Sequence, residues 1–167
     1  MKKTVIFAGL LLVLCGLLSG CLSGLMILPD QGSVGNSKTF EKDGITLTLT
    51  DKFKEQPSEL GFYAYYVADF CGVVVSKEAF SLEAGLAEMS LEQYIKNVIQ
   101  NNGHKNISPQ KKDGLWFYEK TSNGNFVRSY SYKGSDAFYI VQFICRISDS
   151  ESLGDMFHLW AQAAVIQ

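Results

Sequence analysis

The stretch LWFYEKTSNGNFVRSYSYKGSDAFYIVQFICRI, Leu115 to Ile147, decides the fold. Asn123 and Gly124 form a type I′ hairpin signal between two runs rich in aromatic and β-branched residues, Leu115 to Thr121 and Phe126 to Tyr132. A second turn, Lys133 to Asp136, leads into Ala137 to Ile147. That last run is apolar at both parities, with Phe138, Ile140 and Ile144 on one side and Tyr139, Val141, Phe143 and Cys145 on the other. A strand with one face in water alternates, so a strand apolar at both parities has to be covered on both faces. The stretch reads as a three-stranded meander whose last strand is central in a sheet.

Outward from the meander, Ile45 to Thr50 alternates perfectly, with Ile45, Leu47 and Leu49 opposite Thr46, Thr48 and Thr50, as a half-buried strand does. Phe62 to Val75 is aromatic and β-branched but broken at Asp69 to Gly72, which predicts two strands joined by a tight turn or bulge. Ser90 with Gln93 makes a capping box. Leu91, Tyr94, Ile95, Val98 and Ile99 then form one apolar stripe, and Gly103 stops the helix. Ser148 with Glu151 repeats the capping pattern ahead of a closing helix striped by Leu153, Met156, Phe157 and Trp160. The predicted class is α+β, an antiparallel sheet flanked by helices in the order β-β-β-α-β-β-β-α.

A Thr-rich first strand, a Tyr-rich hairpin ending in Ser76, Lys77, Glu78, Ala79 and Phe80, a mid-chain helix, a meander and a closing helix recur together in PsbP-like domains, which residues 40–167 resemble as a whole. The resemblance implies an antiparallel sheet sandwiched by helices and a non-catalytic binding or assembly-accessory role. Members of that family bind different partners and share no active site, so it transfers no site residue.

The N-terminus bears on location. Lys2 and Lys3, the uncharged apolar run Val5 to Leu18, and the small residues Ser19 and Gly20 have the order of a secretory signal. Leu18-Ser19-Gly20-Cys21 resembles the lipobox of bacterial lipoproteins, which implies a signal peptide over residues 1–20 and lipid on the thiol of Cys21. Two or three acyl chains hold a protein on a membrane where one holds only marginally. A second reading stands beside it: Val5 to Leu28 carries no charge and is long enough for an uncut membrane anchor, with Gly16, Gly20 and Gly24 at small-xxx-small spacing. Both place the domain on the extracytoplasmic face of a cell membrane. Residues 21–39 read as a lipidated N-terminus followed by a Gly, Ser and Asn-rich linker, and residues 40–167 as one domain.

Loss of residues 1–20 removes two lysines from the 15 basic residues and none of the 17 acidic ones, taking the formal charge from −2 to −4. With the remaining lysines dispersed, nucleic acid is not an expected partner. A membrane, through Cys21, and a protein of unknown identity are.

No G-x-S-x-G, H-E-x-x-H, C-x-x-C or phosphate loop occurs, so no catalytic residue, metal ligand or cofactor is expected. His104 is expected to serve the end of the first helix. His158, about 140° from Leu153 around the closing helix, is expected in solvent. Cys71 and Cys145 are either a disulfide, permitted outside the cytoplasm, or two buried thiols. The strand aromatics fill the core on one reading. On the other, Phe126, Arg128, Tyr130 and Tyr132, which share a face, form an exposed interaction surface. A small-molecule or lipid carrier, with a pocket between the meander and the first helix, is the alternative to a binding module. An enzyme without a recognisable motif is the remaining, minor one.

Overall fold

The computed structural model describes residues 35–58, 61–104 and 106–167. The leader, Cys21 and most of the linker lie outside them. Strands β1 (Ser37–Lys42), β2 (Ile45–Thr50), β3 (Lys54–Glu55), β4 (Ala64–Val67) and β5 (Gly72–Ala79) precede helix α1 (Leu91–Asn101). Strands β6 (Gln110–Lys112), β7 (Leu115–Ser122), β8 (Asn125–Lys133) and β9 (Ala137–Arg146) follow, then helix α2 (Ser150–Gln162) and β10 (Val165–Ile166). All pairings are antiparallel, in a seven-stranded sheet of order β3-β4-β5-β9-β8-β7-β6 and a three-stranded sheet β1-β2-β10.

Strand β9 lies in the middle of the large sheet with every residue from Ala137 to Cys145 buried, as its double apolar parity requires. One face carries Tyr139, Val141, Phe143 and Cys145. It packs against Ile45, Leu47 and Leu49 of β2 and Leu153, Phe157 and Trp160 of α2. The other face carries Phe138 and Ile140 beneath α1, where Tyr94 stacks on Phe138 with ring centroids 4.0 Å apart. The layers are α1, the large sheet, then α2 with the small sheet.

Local signals explain the element ends. At the start of α1 the Ser90 side chain accepts from the Gln93 N–H while the Gln93 side chain accepts from the Ser90 N–H, completing the capping box. At its end Gly103, at φ 72°, donates to the Gln100 carbonyl and His104 donates to that of Ile99, a Schellman motif. Asn123 and Gly124 both take positive φ, and the two-residue turn sets Ser122 opposite Asn125.

Four short strands were not expected. Asp113 and Gly114, at φ 49° and 84°, make a second hairpin, between β6 and β7. Strand β6, Gln110–Lys112, is wholly exposed and so lacks apolar alternation. Strand β1 begins at Ser37 inside the expected linker and buries only Phe40. Strands β3 and β10 have two residues each. The second capping box does not form. Ser148 Oγ donates to Asp149 instead, a 3₁₀ turn occupies Ile147–Asp149, and α2 starts at Ser150.

The SKEAF run of β5 ties the two sheets together. Lys77 Nζ lies 3.1 Å from Asp136 and 3.6 Å from Asp43, over the rings of Tyr63 and Tyr139. Gly44, in the β1–β2 hairpin at φ 83°, is where Tyr139 closes against that turn: a Cβ would sit 1.9 Å from the Tyr139 hydroxyl oxygen. Gly44→Ala is therefore expected to cost roughly 3 kcal/mol, from left-handed backbone strain and a clash with an immobile ring. Ser90→Ala, which removes only a cap, is expected to cost about 1 kcal/mol. Chemical denaturation of both variants checks the order.

Candidate functional site

Residues Phe126, Arg128, Tyr130 and Tyr132 share one face of β8, as their parity requires, but that face is turned inward under α2. Tyr130 is fully buried and Tyr132 nearly so. The expected exposed patch is therefore corrected: Arg128, Tyr130 and Tyr132 bind the protein's own closing helix, and Phe126 is partly buried against the same core.

They do so at three levels. Arg128 donates through Nη1 to the carbonyl of Gly154 and through Nε to Glu119 at 2.6 Å, with its guanidinium over the rings of Phe117 and Phe126. Tyr130 Oη lies 3.1 Å from His158 Nδ1. Tyr132 Oη donates to the carbonyl of Ala161 at 2.9 Å. Positions i, i+2 and i+4 of the strand thus meet positions i, i+4 and i+7 of the helix. This works because one side of a strand repeats every second residue and one side of a helix every third or fourth. Gly154 permits the closest approach, since a Cβ there would stand 3.2 Å from Arg128 Nη2.

His158 is also corrected. It is 6% exposed, held between Tyr130 and Asp113, whose Oδ2 lies 3.0 Å from His158 Nε2. In the neutral ring, a proton on Nε2 satisfies Asp113 and leaves Nδ1 to accept from the tyrosine hydroxyl. The atomic order Tyr–His–Asp is that of an acid–base relay. Burial pushes the Tyr130 hydroxyl up to about 12, only partly countered by Arg128, so the phenol keeps its proton and donates it to the His158 ring. The arrangement clamps α2 and the β6–β7 turn onto β8.

His104 contributes its backbone N–H to the end of α1, while its ring nitrogen Nε2 lies 3.4 Å from Lys120 Nζ. Burial and the Lys120 charge lower its pKa, so an imidazolium is disfavoured at that helix end. Cys71, the residue before β5, and Cys145 of β9 are buried in the same core cluster, and in this structure both thiols are free. Beneath α1, Gln142 Nε2 donates to Ser129 Oγ at 3.1 Å within a row of buried polar side chains that includes Ser131 and Tyr118. No group of three or more potential metal-binding side chains converges among the described residues.

The architecture defines the class: a mixed α+β domain of antiparallel sheets and two helices, with the PsbP-like fold. The solution structure of cyanobacterial PsbP (CyanoP) from Synechocystis sp. PCC 6803 is similar to it with a TM-score of 0.55 over 86% of this chain and 99% of that one, at 8% sequence identity. No family model and no curated protein matches the sequence.

Two predictions follow from the clamp and the tyrosines. Tyr132→Phe is expected to cost about 1–2 kcal/mol, because the Ala161 carbonyl loses a buried donor with little change in packing. Chemical denaturation checks this. Burial raises the hydroxyl pKa of Tyr66 and Tyr130 to about 12 and also raises those of Tyr94, Tyr118 and Tyr132. Below pH 10 both states keep these protons. Above it the unfolded chain releases them at the ordinary value of 10.0 and the folded one does not, so stability falls as pH rises from 10 toward 12. In an alkaline titration these buried tyrosines are expected to ionise together with the loss of circular dichroism, after the half-buried Tyr63 and Tyr65, and ionisation of all eight tyrosines without unfolding would contradict this.

Proposed function

We propose that this chain is a membrane-tethered lipoprotein whose domain acts as a non-catalytic binding or assembly-accessory module on the extracytoplasmic face. The observation that carries this reading is the order Leu18-Ser19-Gly20-Cys21 at the end of an uncharged apolar run, only 16 positions ahead of Ser37, the first residue of β1. The short Gly, Ser and Asn-rich stretch between them in the sequence supports a domain that works close to the headgroups. The PsbP-like fold supports an accessory role, since members of that family act through partners and not through a shared active site. The clamp beneath α2 supports it too, because Arg128, Tyr130 and His158, the side chains best suited to chemistry, are engaged in holding the fold.

The test is Cys21→Ser in a bacterial host grown with an alkyne-bearing palmitate analogue. The wild type is expected to incorporate label and lose residues 1–20, while the variant incorporates none and stays uncut. A wild type that takes up no label, stays uncut and is membrane-bound to the same extent as the variant would turn the reading to a plain membrane anchor. Cross-linking in intact cells, followed by mass spectrometry, is expected to recover a specific protein partner. A melting temperature raised by lipids or metabolites, with no protein recovered, would favour the carrier.

A further inference from the structure

Cys71 and Cys145 come together at the end of a ladder. Strands β5 and β9 pair from Ala79 opposite Ala137 to Gly72 opposite Ile144, and one further step in that register sets Cys71 opposite Cys145. The backbone fixes the kind of pair. Ala68 N–H donates to the Cys71 carbonyl at 2.9 Å, closing the β4–β5 hairpin, so the polar backbone groups of Cys71 point toward β4 and away from β9. Continued by one step, the β5–β9 ladder makes the two cysteines a non-hydrogen-bonded pair, the closer of the two antiparallel kinds, for which Cα atoms stand about 4.5 Å apart. A disulfide spans Cα separations of about 4.4–6.8 Å. Both side chains enter the same core cluster, and a charge on Cys145 is felt at Cys71.

We propose that Cys71 and Cys145 close a cross-strand disulfide that staples β5 to β9. In the cell this rests on the extracytoplasmic reading, because such bonds persist outside the cytoplasm. The oxidant is a disulfide, on a protein oxidoreductase or on glutathione. One cysteine thiolate attacks it and expels the first thiol, then the other attacks the mixed disulfide and expels the second. One S–S bond forms in this chain as one breaks in the oxidant, whose two sulfurs take up the two electrons and the two protons.

Burial raises both thiols, Cys145 to about 12 and Cys71 well above its ordinary value, so thiolate is scarce in the folded domain. The exchange belongs to folding, before α2 seals the core. Afterwards the bond is shielded from reductants.

The full chain, unfolded in denaturant and refolded in detergent with glutathione buffers of rising reduced fraction, is trapped with acid and digested with trypsin. The expected product is peptide 55–77 joined to peptide 134–146 through Cys71 and Cys145, persisting at a large excess of reduced glutathione. Free or glutathione-capped cysteines at every ratio would overturn the proposal. Cys71→Ala, Cys145→Ala and the double variant are expected to lower Tm equally, on the order of 10 °C relative to the oxidised wild type. All three should also lose the response of Tm to reductant. Losses that differ and add in the double variant would instead show two independent buried thiols. Alkylation during denaturing lysis of cells reports the compartment separately: free thiols there, with the bond forming in glutathione, would count against the extracytoplasmic reading and leave the pairing intact.

Discussion

Strand β9 has to be covered on both faces at once, and the other layers are arranged by that requirement. Its residues Phe138, Tyr139, Val141 and Phe143 are fully buried. Removing each such side chain from water stabilises the fold by roughly 1.5–3 kcal/mol, so neither face can be left bare. Helix α1 covers one side through Tyr94 on Phe138. The opposite side needs more area than one helix supplies, and α2 shares it with β2, whose Ile45, Leu47 and Leu49 enter the same cluster as Phe143 and Phe157. The three-stranded sheet is thus part of the cover of β9, and β10 pairs with β2 to hold the chain beyond α2 in place.

Apolar burial fixes which side of α2 lies on the sheet, but not its position along β8. The polar contacts do. Arg128, Tyr130 and Tyr132 reach Gly154, His158 and Ala161, and a slide of the helix by one residue would break all three. Guanidinium and carboxylate are costly to desolvate, and a half-buried ion pair is weak as a source of stability. Here the cost is offset by the Gly154 carbonyl, Glu119 and two aromatic faces. The contribution of Arg128 is best understood as registry.

What could be read in the sequence follows the physics of each element. The meander, β2 and α1 carry periodic apolar patterns or turn chemistry that need no distant partner, and all three are in the structure. Strands β1, β3, β6 and β10 are held mainly by backbone pairing, with few buried side chains such as Phe40, and leave little trace in side-chain pattern. Within the site, the Asn123-Gly124 turn fixes a register that sets Glu119 opposite Arg128, so that ion pair was legible and argued against a free arginine. His158 was misplaced because the apolar stripe was centred on Leu153, Phe157 and Trp160. The buried face is wider than that stripe and includes the column Gly154, His158 and Ala161. A column combining a glycine, a histidine and an alanine beside an apolar stripe marks a close polar contact, which hydrophobicity alone does not score. The facing of Cys71 and Cys145 was beyond reach, since no turn joins β5 to β9 and their register is set by the assembled sheet.

The small sheet also determines how the described chain is held near its two ends. The chain enters through β1, which pairs with β2 over the six positions from Ser37 opposite Thr50 to Lys42 opposite Ile45. On the other edge of β2 lies β10, and the Gln167 N–H donates to the Gly44 carbonyl in the β1–β2 turn. Both the entry at Ser37 and the segment beyond α2 are therefore joined by backbone hydrogen bonds to one strand, β2. Strand β2 is anchored in turn by Ile45, Leu47 and Leu49 in the main core. The order β1-β2-β10 thus passes the hold of the core on β2 to both flanking strands, which bury little apolar surface of their own.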